Sequence, residues 1–541
     1  MVPRRMVRTG VQLAAFALFI FFLIFIADSK FRLLPTAIHD HLPSHHPGLV
    51  ITDVKIITCS SLNPFSKCML NPAQWHRIDK NLYLDKAWTS AAYIHIQRKR
   101  EEDLASNELV VTDLKIGRLN PGAGTENQFL DRSYGIWIQR QPKSQADFSR
   151  VLTSIDVLYG ADAAEPRPGW ELKDMMLLDA ASEPRLSIRR QPIAVKERPV
   201  PRIRKDGKFK IMQLADLHLS TGTGLCRDPV PKPKNIKDCE ADPRTLQFVD
   251  KLLEDEKPDL VVLSGDQVNG DTAPDAETAI FKIADLLAKH KVPYASIFGN
   301  HDDEGNLDRT QSMEVLEQLP YSLARAGPQE VDGVGNYYVE VMGRGTAAHS
   351  ALTLYLLDTH SYSQDKKHHD GYDWIRESQI NWFREAAQSL KKDHKAYTHI
   401  HMNLAFIHIP LPEYRNSQNM FFGNWTEAPT APSVNSGFKD ELVKENVVLV
   451  SCGHDHVNDY CMLEKKDNGN PGIWLCYGGA TGFGGYAGPG YGDYIRRARF
   501  FDIDMNSARI ITYKRLEWGE TEKRFDEMMV VDGGHPIVPV M

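Results

Sequence analysis

Residues 258–303 read PDLVVLSGDQVNGDTAPDAETAIFKIADLLAKHKVPYASIFGNHDD. Two short apolar runs, LVVLS (260–264) and YASIF (294–298), flank a segment that places Ile280, Ile283, Leu286 and Leu287 on one helical face. The pattern predicts a strand over 259–264, a helix over 275–290 and a strand over 293–298. Such alternation implies a layered α/β core, and the later runs YYVEV (337–341), LTLYLLD (352–358), VVLVS (447–451), IWLCY (473–477), RFFDID (499–504) and ARIITYK (508–514) fit a second sheet packed on the first. LVVLS and YASIF end in polar groups, Gly265-Asp266 and Gly299-Asn300-His301-Asp302. The same design recurs outward along the chain. KIMQLA (210–215) precedes Asp216 and His218, LAFI (404–407) precedes His408, and VVLVSC (447–452) precedes Gly453-His454-Asp455-His456. Polar groups at strand ends converge on one rim, where α/β sheets place their sites.

Carboxylates, an amide and imidazoles are oxygen and nitrogen donors for divalent or trivalent metals. A lone buried His or Asp is usually structural; the ordered set points to a metal centre. His394, His399 and His401 compete with His408. His408 is preferred because it ends the LAFI run and opens HIPLPEY.

The series DxH, GD, GNHD, a lone His and GHDH resembles the calcineurin-like metallophosphoesterase superfamily. GDQVNG (265–270), GNHDDEGNLDR (299–309), HIPLPEY (408–414) and GGATGFGGYAG (478–488) resemble the fungal dosage-dependent cell-cycle regulator phosphatases and related plant purple-acid-phosphatase-like proteins. The likeness spans about 205–520 and implies a two-sheet sandwich flanked by helices. It also implies two metal ions that polarise phosphoryl oxygens and supply hydroxide for attack on phosphorus. Asp266 would bridge them. Asp216, His218 and His456 would complete one site, and Asn300, His408 and His454 the other. His301 would protonate the leaving group or stabilise the transition state, oriented by Asp302. Arg309 either grips a phosphate oxygen or is solvated surface charge. The Gly-rich 478–492 reads as a flexible rim, with Tyr486 or Tyr491 reaching substrate, or as a plain surface loop. The purple acid phosphatases place Tyr three residues after the bridging Asp, where this chain has Asn269, and Gly where it has His218. A tyrosinate–iron site is therefore not implied; Mn, Fe, Zn or a mixture fits.

Before the α/β region, 49–200 has a different texture. ITDVKI (51–56), VTDLKI (111–116) and TSIDVLYG (153–160) are alike, and each is followed by an alternating segment: YIHIQRK (93–99), YGIWIQRQ (134–141) and RLSIRRQ (185–191). Three strand pairs of this kind predict a β-rich accessory domain. With DVLYGADAAEPRPGW (156–170) the triplication is similar to the β-prism module of some membrane-trafficking proteins. A Pro- and Arg-rich stretch over 190–208 reads as the linker.

Residues 10–27, GVQLAAFALFIFFLIFIA, are uncharged and follow a basic tail (1–9). They predict a single-pass signal anchor with a cytoplasmic N-terminus, followed by a His- and Pro-rich linker at 28–48. The enzyme would then face a secretory or vacuolar lumen or the outside, in keeping with the sequon Asn424-Trp-Thr426. Residues 521–541 form a C-terminal tail. The 541-residue chain carries net charge −7, with 42% apolar and 25% charged residues. That balance fits a multi-domain globular protein and not a broad polyanion-binding surface, so no nucleic acid partner is expected. Of seven cysteines, Cys59/Cys68 and Cys226/Cys239 are close enough to pair, although all seven could be thiols. The expected substrate is a phosphomonoester or phosphoprotein. A phosphodiesterase or nuclease, and an inactive anchored scaffold, are the competing readings.

Overall fold

A computed structural model describes Phe16, 48–60, 68–84, 89–120, 128–178, Ala180, 182–190, 198–394, 400–419, 421–466, 468–488 and 493–539. The anchor expected over 10–27 lies, except for Phe16, outside the described residues. Among the described residues no helix is long and apolar enough to cross a membrane. The chain divides into two compact units, one built from 1–156, 177–181 and 188–192, the other from 157–176, 182–187 and 193–541.

The weak sequence triplication corresponds to three small sheets. Strands β1 (Leu49–Ser60), β2 (Trp75–Arg77) and β3 (Ser90–Arg100) are ordered β1-β3-β2. Strands β4 (Leu109–Ile116), β5 (Phe129–Asp131) and β6 (Ile136–Pro142) are ordered β4-β6-β5. Strands β7 (Ser154–Tyr159), β8 (Trp170–Met176) and β9 (Pro184–Arg189) repeat that order as β7-β9-β8, their residues divided between the two units. The first two sheets share a bulge at equivalent places, Ile51/Asp53 and Val111/Asp113. In the first unit, the aspartate of each repeat meets a cation from another. Arg132 meets Asp53 at 2.8 Å, Arg190 meets Asp113 at 3.0 Å, and Lys80 meets Asp156 at 3.4 Å. All six side chains are half-buried or less exposed.

The second unit is built on two seven-stranded sheets. β10 (Lys208–Leu214), helix α1 (Ala241–Glu256), β11 (Leu260–Ser264), helix α2 (Ala276–Lys289) and β12 (Tyr294–Ile297) realise the strand–helix alternation. β10, β11 and β12 are parallel neighbours, with Ile211 beside Leu260 and Val261 beside Tyr294. Asp275 caps α2 by accepting from the Thr278 N–H, as a short acceptor side chain does at a helix start. Helix α3 (Arg309–Gln318) follows with a capping box from Asp308 and Gln311.

The second sheet comprises β13 (Tyr337–Met342), β14 (Ser350–Leu356), β15 (Met402–Phe406), β16 (Phe421–Phe422), β17 (Val447–Cys452), β18 (Cys461–Lys465) and β19 (Pro471–Tyr477), ordered β13-β14-β15-β17-β19-β18-β16. Helices α4 (Glu377–His394) and α5 (Phe438–Lys444) pack on its outer face, where Phe383 and Phe438 join the core of Tyr355, Ala405 and Leu475. The sheets meet face to face through Ile211, Val262 and Phe501 on one side and Leu354, Phe406 and Trp474 on the other. The result is the expected two-sheet sandwich with helices outside.

One assignment is corrected. The runs RFFDID and ARIITYK do not belong to the second sheet. They form β20 (Arg497–Asp504) and β21 (Arg509–Leu516), which extend the first sheet antiparallel from β10. Residues 521–541, expected as a tail, include β22 (Phe525–Asp532) and β23 (His535–Pro536) on the same edge. Alternation marks a strand without saying which neighbour it pairs with.

Three disulfides are formed: Cys59–Cys68, Cys226–Cys239 and Cys461–Cys476, with Cys452 left as a buried thiol. The third joins directly opposed residues of β18 and β19, a pairing that sequence spacing did not suggest.

Candidate metal centre

Each expected ligand leaves the C-terminal end of a parallel strand: Asp216 and His218 after β10, Asp266 after β11, Asn300 after β12, His408 after β15, His454 and His456 after β17. Both sheets therefore contribute. All seven side chains are buried. Four of these residues have left-handed backbones, Asp216 (φ 56°), His218 (φ 47°), Asp266 (φ 53°) and His454 (φ 79°). Such conformations cost about 1–3 kcal/mol each and gather at functional sites. Here the surrounding hydrogen bonds enforce them: Asp216 N–H donates to Gly265 O (3.1 Å) and His218 N–H to Asp266 O (3.0 Å).

Asp216, His218, Asp266 and His456 bring one ligand atom each within 4.8 Å of one another. His218 and His456 direct their Nε2 atoms together at 3.0 Å. His456 Nδ1–H donates to the Tyr486 carbonyl at 2.8 Å, which leaves Nε2 as a lone pair. His408 is fixed in the same way by the Ser264 carbonyl, 2.9 Å from its Nδ1. Its Nε2 lies 3.3 Å from Asp266 Oδ2, and His218 Nε2 lies 3.6 Å from that same oxygen. Asp266 thus stands between the two histidines assigned to different sites. His454 packs against His408 with ring centroids 5.2 Å apart. Among the described residues Asn300 Oδ1 and His454 Nε2 are buried and make no hydrogen bond. Buried polar atoms without partners are costly, and a cation satisfies them. The donor set fits a pair of metal ions.

The buried donors shift one another's charge states in opposite directions: burial lowers His408, but Asp266 outweighs it and raises His408 to about 9. Burial pushes Asp216 up to about 7, against the charge of His408. Burial also works to raise Asp266, but His408 and His218 outweigh it and hold it well below the carboxylate range. His454 and His456 are driven well below 6.5, first by burial, and so stay neutral, as ligation requires.

His301 stands at the rim with 31% of its side chain exposed. Its Nδ1 meets Glu304 Oε2 at 2.6 Å. Burial lowers its pKa, yet Asp266 and Glu304 together raise it. Asp302 does not orient this ring. Its carboxylate accepts the backbone N–H groups of Gly299 (2.6 Å), Asp266 (2.8 Å) and Val268 (2.9 Å). It ties the second ligand loop to the third, and Glu304 takes the part expected of it. Sequence gave no means of choosing between adjacent carboxylates on a turn.

Arg309 is also corrected. Its guanidinium donates to Asp358 (2.6 Å), Asp303 (3.1 Å), Gly299 O (2.6 Å) and His360 O (3.0 Å). With its donors so engaged it clamps the Asn300 loop and does not grip substrate. Tyr486 stacks on His456 (centroids 4.0 Å apart) and donates its hydroxyl to Glu427 at 2.8 Å. It holds a ligand in place and does not reach outward. Tyr491 lies outside the described residues. Residues 481–485 of the Gly-rich segment are buried and form no flexible rim, while 489–492 lie outside the described residues. A Cβ on Gly485 would strike the rings of His456 and His218, and one on Gly482 would strike the Leu217 carbonyl. Of the rivals to His408, His401 bonds Thr353 (2.9 Å) and Ser350 O (3.1 Å) before β15 begins. His394 ends α4, and His399 lies outside the described residues.

A family model described as calcineurin-like phosphoesterase matches residues 209–458. Phosphatase DCR2 of Saccharomyces cerevisiae is 40% identical over 407 residues, 71% of this chain and 68% of that protein. An uncharacterised Schizosaccharomyces pombe protein is 31% identical over 501 residues, 88% of each chain. An Arabidopsis thaliana protein named probable inactive purple acid phosphatase 29 is 35% identical over 356 residues, 63% of this chain and 88% of that protein.

Proposed function

The chain belongs to the calcineurin-like phosphoesterase family, and from that premise we propose that it is a two-metal phosphatase acting on phosphomonoesters, including those of phosphoproteins. The observation that carries this is the cluster of Asp216, His218, Asp266 and His456 within 4.8 Å, with Asp266 between His218 and His408 and with Asn300 Oδ1 and His454 Nε2 buried and unpartnered. Asp216, His218, Asp266 and His456 would hold one ion, and Asp266, Asn300, His408 and His454 the other; Mn, Fe or Zn suits them. When bound, such ions polarise a phosphoryl oxygen and lower the pKa of water.

The chain's own groups supply the rest. Ser264 and the Tyr486 carbonyl fix the tautomers of His408 and His456. Arg309 and Asp302 hold the Asn300 loop. His301, whose protonated form Asp266 and Glu304 favour against burial, donates a proton to the leaving oxygen. Three plant relatives carry names that mark them inactive, which is the observation favouring a scaffold; the donor set retained here speaks against it. Acidic groups near the centre, Asp303 and Glu304, support small or peptide monoesters over polynucleotides.

Two features support a lumenal or external catalytic unit: the three disulfides, which belong to oxidising compartments, and the exposed sequon residue Asn424. The anchor over 10–27 completes that reading.

The test is Asp266→Ala. It removes a ligand from both sites, so metal content and hydrolysis of phosphomonoesters should fall together. Near-normal turnover with metal retained ends the two-metal assignment, and comparable cleavage of DNA by the unaltered protein moves it to a diesterase.

A further inference from the structure

After β14 the chain forms a hairpin over 361–373, closed by Ser363 N–H to Gly371 O and Asp373 N–H to Ser361 O, both 2.9 Å. Its stem is tied to the metal centre twice. Ser361 Oγ donates to the Asn300 carbonyl at 3.2 Å, and Arg309 donates to the His360 carbonyl at 3.0 Å. Across the hairpin Tyr362 and Tyr372 form a bridge. Their rings stack at 5.0 Å with 22° between planes. Tyr372 stands edge-on against His454, centroids 4.4 Å apart at 87°. Tyr362, the outer ring, is 41% exposed.

The intervening residues, SQDKKHHDG, are polar. An aromatic ring held open to water, one ring away from a metal-binding histidine and fixed to the loop of another donor, is a contact surface in want of a flat partner. Tyrosine offers a large amphipathic area and orders few torsions on contact. We infer that the Tyr362–Tyr372 pair is a stacking platform that favours phosphomonoesters whose alcohol carries an aromatic ring, the chemistry of a phosphotyrosyl side chain. The inference rests on the phosphatase reading above and names its substrate class.

The experiment compares kcat/KM for phenyl phosphate and glycerol phosphate in the full-length, metal-loaded protein and its Tyr362→Ala and Tyr362→Phe variants. The ratio between the two esters does not depend on what fraction of a preparation is active. Tyr362→Ala should lower the aryl-over-alkyl ratio about five- to tenfold, the scale of one aromatic contact, mainly through KM. Tyr362→Phe should keep it near the original. An unchanged ratio in Tyr362→Ala overturns the platform while leaving the phosphatase reading intact. Failure of the unaltered protein to hydrolyse either ester overturns that reading and the platform with it.

Discussion

His301 differs from its neighbours in being the partly exposed imidazole of the centre, with Glu304 on one nitrogen and Asp266 close enough to favour the cation. A proton donor of this kind contributes about 10²–10⁴ in rate. His301→Ala should therefore keep its metals and lose about that factor in kcat. The loss should be largest for esters of poor leaving groups and smallest for nitrophenyl phosphate; a loss equal across leaving groups would assign His301 to charge stabilisation. The grouping of Asp216, His218, Asp266 and His456 was legible in sequence because metal chemistry restricts the residue types and the strand pattern places them at one rim. The roles of Asp302, Arg309 and Tyr486 were not. A carboxylate that collects three backbone N–H groups and one that holds an imidazole look alike until the turn between Gly299 and Glu304 is folded.

Among the elements, β20 and β21 do more than widen the first sheet. Each sends a cation, Arg497 and Lys514, to the fully buried Asp459, three residues beyond His456. Asp459 also accepts from the Asn424 N–H at 2.7 Å. Burial alone raises its pKa, but Arg497 and Lys514 overcome this and hold it well below the usual value. A carboxyl whose folded pKa is depressed stabilises the fold above its unfolded pKa, about 3.9. That contribution drains away as pH falls below this value toward the folded pKa. Asp459→Asn leaves the buried Arg497 without its carboxylate partner and Lys514 with Asp526 alone, and should cost about 3–5 kcal/mol near neutrality. The gap in Tm between variant and original should narrow as pH drops from 5 to 3. A gap independent of pH over that range would mean that packing, not charge, accounts for the loss. Strands β10, β11 and β12 and helix α2 were readable from periodicity. The placement of β20 and β21 was not, because antiparallel additions to a sheet edge carry no sequence mark of their partner. The Gly-rich 481–485 was misread for a related reason: composition cannot distinguish glycines that loosen a loop from glycines that let backbone press against His218 and His456.

For the molecule as a whole, the proposed lumenal placement is checked at Asn424. The chain expressed in a eukaryotic secretory host should shift on glycosidase treatment, and Asn424→Gln should abolish the shift. An unshifted chain, cut by protease from the cytosolic side of sealed vesicles, would reverse the orientation. The three-part architecture of the N-terminal region was visible in sequence as repeated phrases. The ion pairs linking Asp53, Asp113 and Asp156 to other repeats were not, since alternation does not say which carboxylate a cation meets and two of the cations, Arg132 and Lys80, sit outside those phrases. The derivation of the donors from both sheets also bears on biogenesis. Asp216 and Asp266 leave the ribosome long before His454 and His456, so a nascent chain ending before β17 holds five of the seven proposed donors and no closed centre. On the two-metal reading, completion of the centre is then a late event that needs both sheets in place, and a bound metal would in effect inspect the finished fold.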